Sequence, residues 1–501
     1  MMLIVSPFRI ALLCSVKTEA SMNKVITQSG IPPLRTQPTW GFFSRQSFLG
    51  LCLFLAFCIS QSVQAQKPSV PRLVQQLSQK QPNLLRQHPI LNPKRIDALY
   101  NQTGDEYLWS PEWEPFRKAF LQTLERADDF GLNRDNYHYT LLKTLNRKNT
   151  LAYELYTSDA LLTFMEHVGY GTNRPNWLTI NPDCDPVGQE FGVETYLLTA
   201  FANCYTFPQV LEGTEPQTQV YQTLRTEMMR VNGIINRPEL VTGPIPFTGE
   251  LAENRLLVNR LKAWGVLPLN AVHPSEIQVQ QALTLFQQKV GEPADGRLTL
   301  TTLAKVNKPF ADYTKMLVRS LNSWRWLNAI NEYKTLVINL PAAELYGFEG
   351  STVTLSMRAL LGKPETPTPQ FFSHLTNVRF SPNPGQSGFL PYTIPPNELT
   401  VFAQNLNPQI LFRQDSRFHN LGGVQVEKPM ELAAWLLDDN DEVHHLIQRP
   451  PTQTGTTSII RKISPPVSLL VFANSMGIDE RGNIRLYDDA YQHANSLLMH
   501  R

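Results

Sequence analysis

The chain has 501 residues, 42% of them hydrophobic and 18% charged, with a formal net charge of +2. That length implies about two to four domains, and the near-neutral charge excludes the basic footprint of a nucleic-acid binder. At the N-terminus, Arg45 precedes the apolar run SFLGLCLFLAFCIS, and SVQAQ offers a small-residue cleavage site after Ala65. Residues 1–65 therefore read as an export leader, with Met22 a second candidate start. The run is short for a membrane span; the alternative is an uncleaved anchor, the only membrane contact expected. Three cysteines (Cys14, Cys52, Cys58) lie in the leader, and Cys184 and Cys204 follow it. In an oxidising compartment these two could form a disulfide; the alternative is two buried thiols. No cysteine occurs from residue 205 to 501.

Residues 66–99 are polar and proline-marked and read as a linker with one short helical pattern, RLVQQLSQ. Residues 100–250 read as a helical domain. In EWEPFRKAFLQTLERADDFGL, Phe116, Phe120, Leu121 and Leu124 share one face, and Gly131 stops the helix. TSDALLTFMEHVGYG is a second helix, with Thr157 or Ser158 expected to cap its start. TGPIPFTG is a linker. Residues 251–310 then carry three short helices, the last two joined by an Asp295-Gly296 turn. Residues 311–330 form a connecting helix. From Tyr333 the pattern changes to β-branched and aromatic runs separated by turns, interrupted by the helix KPMELAAWLLDD. Residues 331–475 are thus mostly β, and the tail 476–501 holds a hairpin at DERGNIRLYDD. The fold class expected is multidomain α+β.

The order of these parts resembles the large multidomain periplasmic L,D-transpeptidases, which cross-link peptidoglycan stems. DDFGLNRDNY and LLTFMEHVGYG are similar to that family's helical scaffold domain. LTLFQQKVGEPADGRLTLTTLAKVN resembles its small three-helix peptidoglycan-binding module, through Phe286, Gln287, Asp295, Gly296, Thr302, Leu303 and Asn307. RSLNSWRWLN resembles the helix that leads into the catalytic domain, and YKTLVINLPAAEL its first strands. Phe286, Gln287, Asp295 and Gly296 are therefore the candidate peptidoglycan-binding residues. Thr299 replaces a glycine usual in that module, as a cap for the third helix.

In that family a cysteine thiolate attacks the peptide carbonyl, activated by a histidine, in a Ser-His-Gly-Cys-x-Arg loop. The matching residues are Asn420-Leu421-Gly422-Gly423-Val424-Gln425, with Arg417 before them and VEKPMELAAWLL after. The nucleophile position is Gly423, the histidine Leu421 and the arginine Gln425. On the preceding strand Gln404 and Asn405 stand where a histidine and an aspartate would be. The stretch NPGQSGFLPYTI is too short for the family's lid. The resemblance thus implies a transpeptidase-like domain without lid or chemistry. Such a protein would need no cofactor and no metal. It would reside in the periplasm or cell envelope, partnering peptidoglycan or other cell-wall enzymes.

Two other readings stay open. The chain could be an active, diverged transpeptidase, or a hydrolase using Ser416 and His419 beside Asp415. Asp438 to His445 (DDNDEVHH) lacks the spacing of a calcium loop or a zinc motif and reads as a solvated helix end.

Overall fold

The computed structural model describes residues 72–104, 106–146, 150–172, 175, 178, 192–241, 243–247, 251–330, 333–389, 397–420, 423–438 and 458–491. The leader and Cys184 lie outside them; Cys204 is disulfide-bonded. Two compact units emerge. One comprises the chain up to Lys118 with Thr140–Ala160 and Glu194–Thr206; the other comprises Ala119–Tyr139, Leu161–Val193 and the chain from Phe207 on.

The first unit is helical, and it corrects the expected linker. Where 66–99 read as a linker, Arg72–Lys80, Pro82–Gln87 and Pro93–Thr103 are helices. Leu77, Ile96 and Leu99 are fully buried. These helices are tied down by polar groups, which hydrophobic periodicity does not register. The helix Thr150–Tyr170 supplies the anchors. Asp159 accepts hydrogen bonds from the N–H groups of Leu91 (2.7 Å) and Asn92 (3.0 Å), at the start of Pro93–Thr103. Glu154 accepts from the Tyr100 hydroxyl (2.7 Å) and the N–H groups of Leu108 (2.6 Å) and Trp109 (3.2 Å). Burial raises the pKa of Glu154, and those three donors partly oppose the rise.

Thr157 and Ser158 are a second correction. The helix begins at Thr150, so neither residue caps it; both are fully buried in its interior. Ser158 Oγ accepts from Trp109 Nε1 at 2.9 Å, and Thr157 Oγ1 from Arg117 Nε at 3.4 Å. Around them Trp113 stacks on Phe201 at 4.3 Å, with Phe116 edge-on to both.

In the second unit the three expected short helices form at Arg255–Ala263, Glu276–Lys289 and Leu300–Val306. Each has a side-chain cap, from Asn254, Ser275 and Thr299 respectively; Ser275 with Gln278 completes a capping box. These helices share one apolar cluster with Gln219–Ile234 and with the connecting helix Phe310–Ile330. A charged knot sits in it. Glu227 accepts from Arg230 through Nε and Nη2 (2.6 and 2.8 Å), from Lys289 Nζ at 2.9 Å and from the Tyr313 hydroxyl at 2.5 Å. Burial alone would raise the Glu227 pKa, but these partners hold it at about 2.

The β region contains strands β1 (Lys334–Asn339), β2 (Glu344–Glu349), β3 (Thr352–Gly362), β4 (Phe371–Gly385), β5 (Gly388–Phe389), β6 (Glu398–Asn405), β7 (Phe418–Asn420), β8 (Val424–Val426) and β9 (Ile459–Phe472). Their order is β2-β1-β9-β4-β6-β5-β8-β3-β7, and β2 also pairs with β3. That pairing closes eight strands into a barrel, with β7 attached to β3. Alternation explains the fully buried β1: Leu336 and Ile338 enter the barrel core, while Val337 joins the cluster of the connecting helix. β9 divides in the same way, Leu469 and Val471 facing one core and Leu470 and Phe472 the other. Pro465 and Pro466 fall where the β4–β9 register shifts between Leu375 and Asn377, as residues without an N–H must. The helix Pro429–Leu437 adds Leu432, Ala433 and Leu436 to the barrel core. A final hairpin pairs β10 (Met476–Ile478) with β11 (Ile484–Leu486).

Candidate functional site

The loop that carries Gly423 is framed by β3. β7 runs parallel to the end of β3, pairing Phe418 with Leu361, and β8 runs antiparallel, pairing Val426 with Ala359. Arg417 anchors the entry: its guanidinium donates to the carbonyls of Ala342 (2.5 Å) and Ala343 (3.2 Å), and its own carbonyl accepts from Leu361 N–H. Leu421 and Gly422 lie outside the described residues; Gly423 is buried. The position that the resemblance assigns to a nucleophile thus carries no side chain.

Between the strand of Gln404 (β6) and the strand entered from Gly423 (β8) lies β5. Gly388 pairs with Thr400 on one side and with Gln425 on the other; Phe389 pairs with Val424 and is buried. A Cβ on Gly388 would stand 2.1 Å from the Val424 carbonyl oxygen, so only glycine permits this approach. The chain itself therefore occupies the gap between the two strands.

Among the described residues, the polar side chains around that gap with a recorded hydrogen bond are neutral amides and one hydroxyl. Gln425, at the arginine position, donates through Nε2 to Gln386 Oε1 at 2.5 Å. Asn405 Oδ1 accepts from Ser387 N (3.4 Å) and Asn407 N (3.1 Å). Asn407 Nδ2 donates to the carbonyls of Ser387 (2.9 Å) and Val426 (2.8 Å). Ser387 Oγ accepts from Phe402 N at 3.0 Å. Gln404 pairs through its backbone with Pro384. An amide does not act as a base near neutral pH, so no proton acceptor for a thiol is assembled among these groups. Sequence reasoning did not single out Ser387 or Asn407, both buried, because nothing in these proline-rich stretches marks which polar residues turn inward.

The hydrolase arrangement does not assemble either. Asp415, Ser416 and His419 are all exposed, and the His419 ring meets the carbonyl oxygen of Ser416 at 2.9 Å rather than its hydroxyl. Asp438 ends its helix in a left-handed turn and pairs with Lys334; residues 439–445 of the acidic stretch lie outside the described residues. Among the described residues no group of three or more His, Cys, Asp or Glu could hold a metal, and no helix is long and apolar enough to cross a membrane.

In the three-helix segment the motif residues hold one turn. Phe286 is fully buried against Trp264, ring centroids 5.1 Å apart. The Gln287 amide, 1% exposed, donates to Asp295 Oδ1 (3.0 Å) and the Arg297 carbonyl (2.9 Å), and accepts from Gly296 N (2.8 Å). Backbone N–H of Arg297 and this amide keep the Asp295 carboxyl below its usual pKa. Gly296 has φ +73 and lies so close to Gln280 that a side chain would collide. Asn307 clasps the preceding linker through both amide atoms, to Ile245 N and O. Phe286 and Gln287 are buried and shape the turn.

Residues 94–228 match the family model of the Scaffold domain. No curated protein matches the chain. The match begins inside the stretch expected as a linker and covers most of the helical region expected as a scaffold, so the helical part of this chain is similar to a scaffold domain.

Proposed function

We propose that the chain is an exported cell-envelope protein of L,D-transpeptidase type that has lost its chemistry. In this reading it binds peptidoglycan, or docks on an active wall enzyme, as a scaffold or regulator of cross-linking. The observation that carries the proposal is the occupied gap at Gly423. A strand of the same chain lies between the strands that would bring a nucleophile and its base together, and the facing side chains are neutral. The Scaffold-domain match over 94–228 and the helical part followed by a closed barrel support the same ancestry. The three-helix segment is the proposed wall-binding module, with its turn held by Gln287. The periplasmic assignment rests on the leader sequence, and the lost lid on the brevity of NPGQSGFLPYTI.

Two experiments test the proposal. The purified mature chain is sedimented with sacculi; retention is expected, and its absence reduces the role to docking on a protein. The same sample is exposed to a carbapenem and weighed intact. No added mass is expected; an acyl adduct overturns the loss of chemistry.

A further inference from the structure

Charge is segregated along the chain. Residues 66–96 hold six basic residues (Lys67, Arg72, Lys80, Arg86, Lys94 and Arg95) and no Asp or Glu, whereas residues 97–501 hold 34 basic and 42 acidic ones. Glu194 neutralises Arg95 at 2.7 Å. Arg72, Lys80, Arg86 and Lys94 are exposed, and Lys80, Arg86 and Lys94 form no ion pair among the described residues. Helix stability accounts for only part of this placement. The helix dipole favours Lys80 and Arg86, which stand in last turns, but disfavours Lys94 in the first turn of Pro93–Thr103. Nor does it explain why the first turns of all three helices lack an acidic residue.

Apolar side chains stand among these cations. Leu91, between Arg86 and Lys94 in sequence, is 41% exposed. Leu84 and Leu85 are half-buried in the helix Pro82–Gln87, which has no buried residue. The stretch is pinned to the helix Thr150–Tyr170. The His88 carbonyl accepts from the Tyr156 hydroxyl at 2.6 Å, and Asp159, on the next turn, holds the N–H groups of Leu91 and Asn92. Lys80 and Arg86 bracket a helix only about 9 Å long. An anionic bilayer matches both features: its phosphates meet the cations, and its interfacial layer takes up the leucines. An anionic wall glycan would meet the charge and leave the leucines in water. The apolar run of the leader ends at Ser60, so Arg72 follows it by at most about 40 Å of extended chain. On export this stretch emerges at a membrane surface.

We infer that residues 72–94 form a surface that docks on anionic phospholipid. The inference rests on the proposed export and adds a partner that the wall role does not include.

The mature chain is sedimented with vesicles of phosphatidylcholine alone and with vesicles of equal parts phosphatidylcholine and phosphatidylglycerol. Retention is expected on the anionic vesicles at about 0.1 M salt and not on the neutral ones, with release near 1 M, where the Debye length falls to about 3 Å. Lys80→Gln, Arg86→Gln and Lys94→Gln together should weaken retention about a hundredfold, each charge at a lipid surface being worth about 1 kcal/mol. Near-ultraviolet dichroism checks the fold of that variant; should it be lost, Lys94→Gln alone carries the test, with about a fivefold loss. Lys118→Gln, Lys308→Gln and Lys363→Gln, at exposed positions elsewhere, remove the same charge and should leave retention within about twofold. Leu91→Ser should weaken it about tenfold. Equal retention on both vesicles, retention on neither, parental retention by the first triple variant, or equal losses from the two triple variants overturns the surface. Sacculi are tested with the same samples. Retention by sacculi without binding to vesicles overturns the lipid surface and leaves the wall role. Binding to anionic vesicles without retention by sacculi leaves the lipid surface and reduces the wall role to docking on a protein.

Discussion

Gly423 and Gln287 show two ways in which a motif residue can be read. Gly423 carries no side chain at the position that the resemblance assigns to a nucleophile, and that is legible in the sequence. What was not legible is that β5 fills the neighbouring gap, since a two-residue strand has no periodicity to detect. Installing the nucleophile is therefore expected to fail. Gly423→Cys places a thiol in a loop where the neighbouring described amides, Gln425 and Gln386, supply no base to ionise it. Intact mass after carbapenem treatment should show no adduct; an adduct at that cysteine would mean that the frame still activates a thiol. Gln287 is the opposite case. Its pattern resembles a ligand-binding signature, while its amide holds Asp295, Gly296 and Arg297 in place. The same residue types serve turn and ligand alike, so sequence could not separate them.

At the scale of elements, helices were read well where an apolar face repeats and missed where polar groups anchor them. The stretch 66–99 reads as a linker because its prolines and glutamines hide the positions of Leu77, Ile96 and Leu99. Asp159 on a distant stretch of chain satisfies the N–H groups at the start of Pro93–Thr103. Asp159→Ala should cost about 1–2 kcal/mol, as the loss of a helix cap does, read as a lower urea midpoint with unchanged slope. The knot at Glu227 joins three helices and has a stronger signature. Its folded pKa of about 2 lies below the ordinary value of 4.5. A depressed carboxylate contributes its full stability above the unfolded pKa and loses it as pH falls toward the folded one. Glu227→Gln strands the charges of Lys289 and Arg230 and should destabilise by about 3–5 kcal/mol at pH 7. The difference from the parent should shrink from pH 5 toward pH 2; a constant difference in urea unfolding across that range would exclude the assigned ionisation.

For the whole molecule, the sequence suggested boundaries at residues 310 and 330, yet the apolar cores do not respect them. Within the second unit Val337, Phe348, Phe372, Leu470 and Phe472 leave the barrel to join the cluster of the connecting helix and the short helices. Trp324 meets Phe472 edge-on at 5.2 Å, and Ser320 bonds Asn474, which in turn bonds Asn339 of β1. Period-two alternation within a strand says which residues share a face, but not what covers the second face, so the sequence could not reveal this sharing. The consequence is measurable. Burying one such side chain stabilises by about 1.5–3 kcal/mol, so exposing five forfeits roughly 8–15 kcal/mol, as much as a domain's entire stability. The fragment 333–491 should therefore fail to fold alone, with strong binding of a hydrophobic dye and no near-ultraviolet dichroism. The fragment 207–491 keeps the connecting helix and its cluster and should recover the near-ultraviolet signal. A barrel fragment that unfolds cooperatively without the helix would show that the shared cluster covers the barrel but does not hold it together.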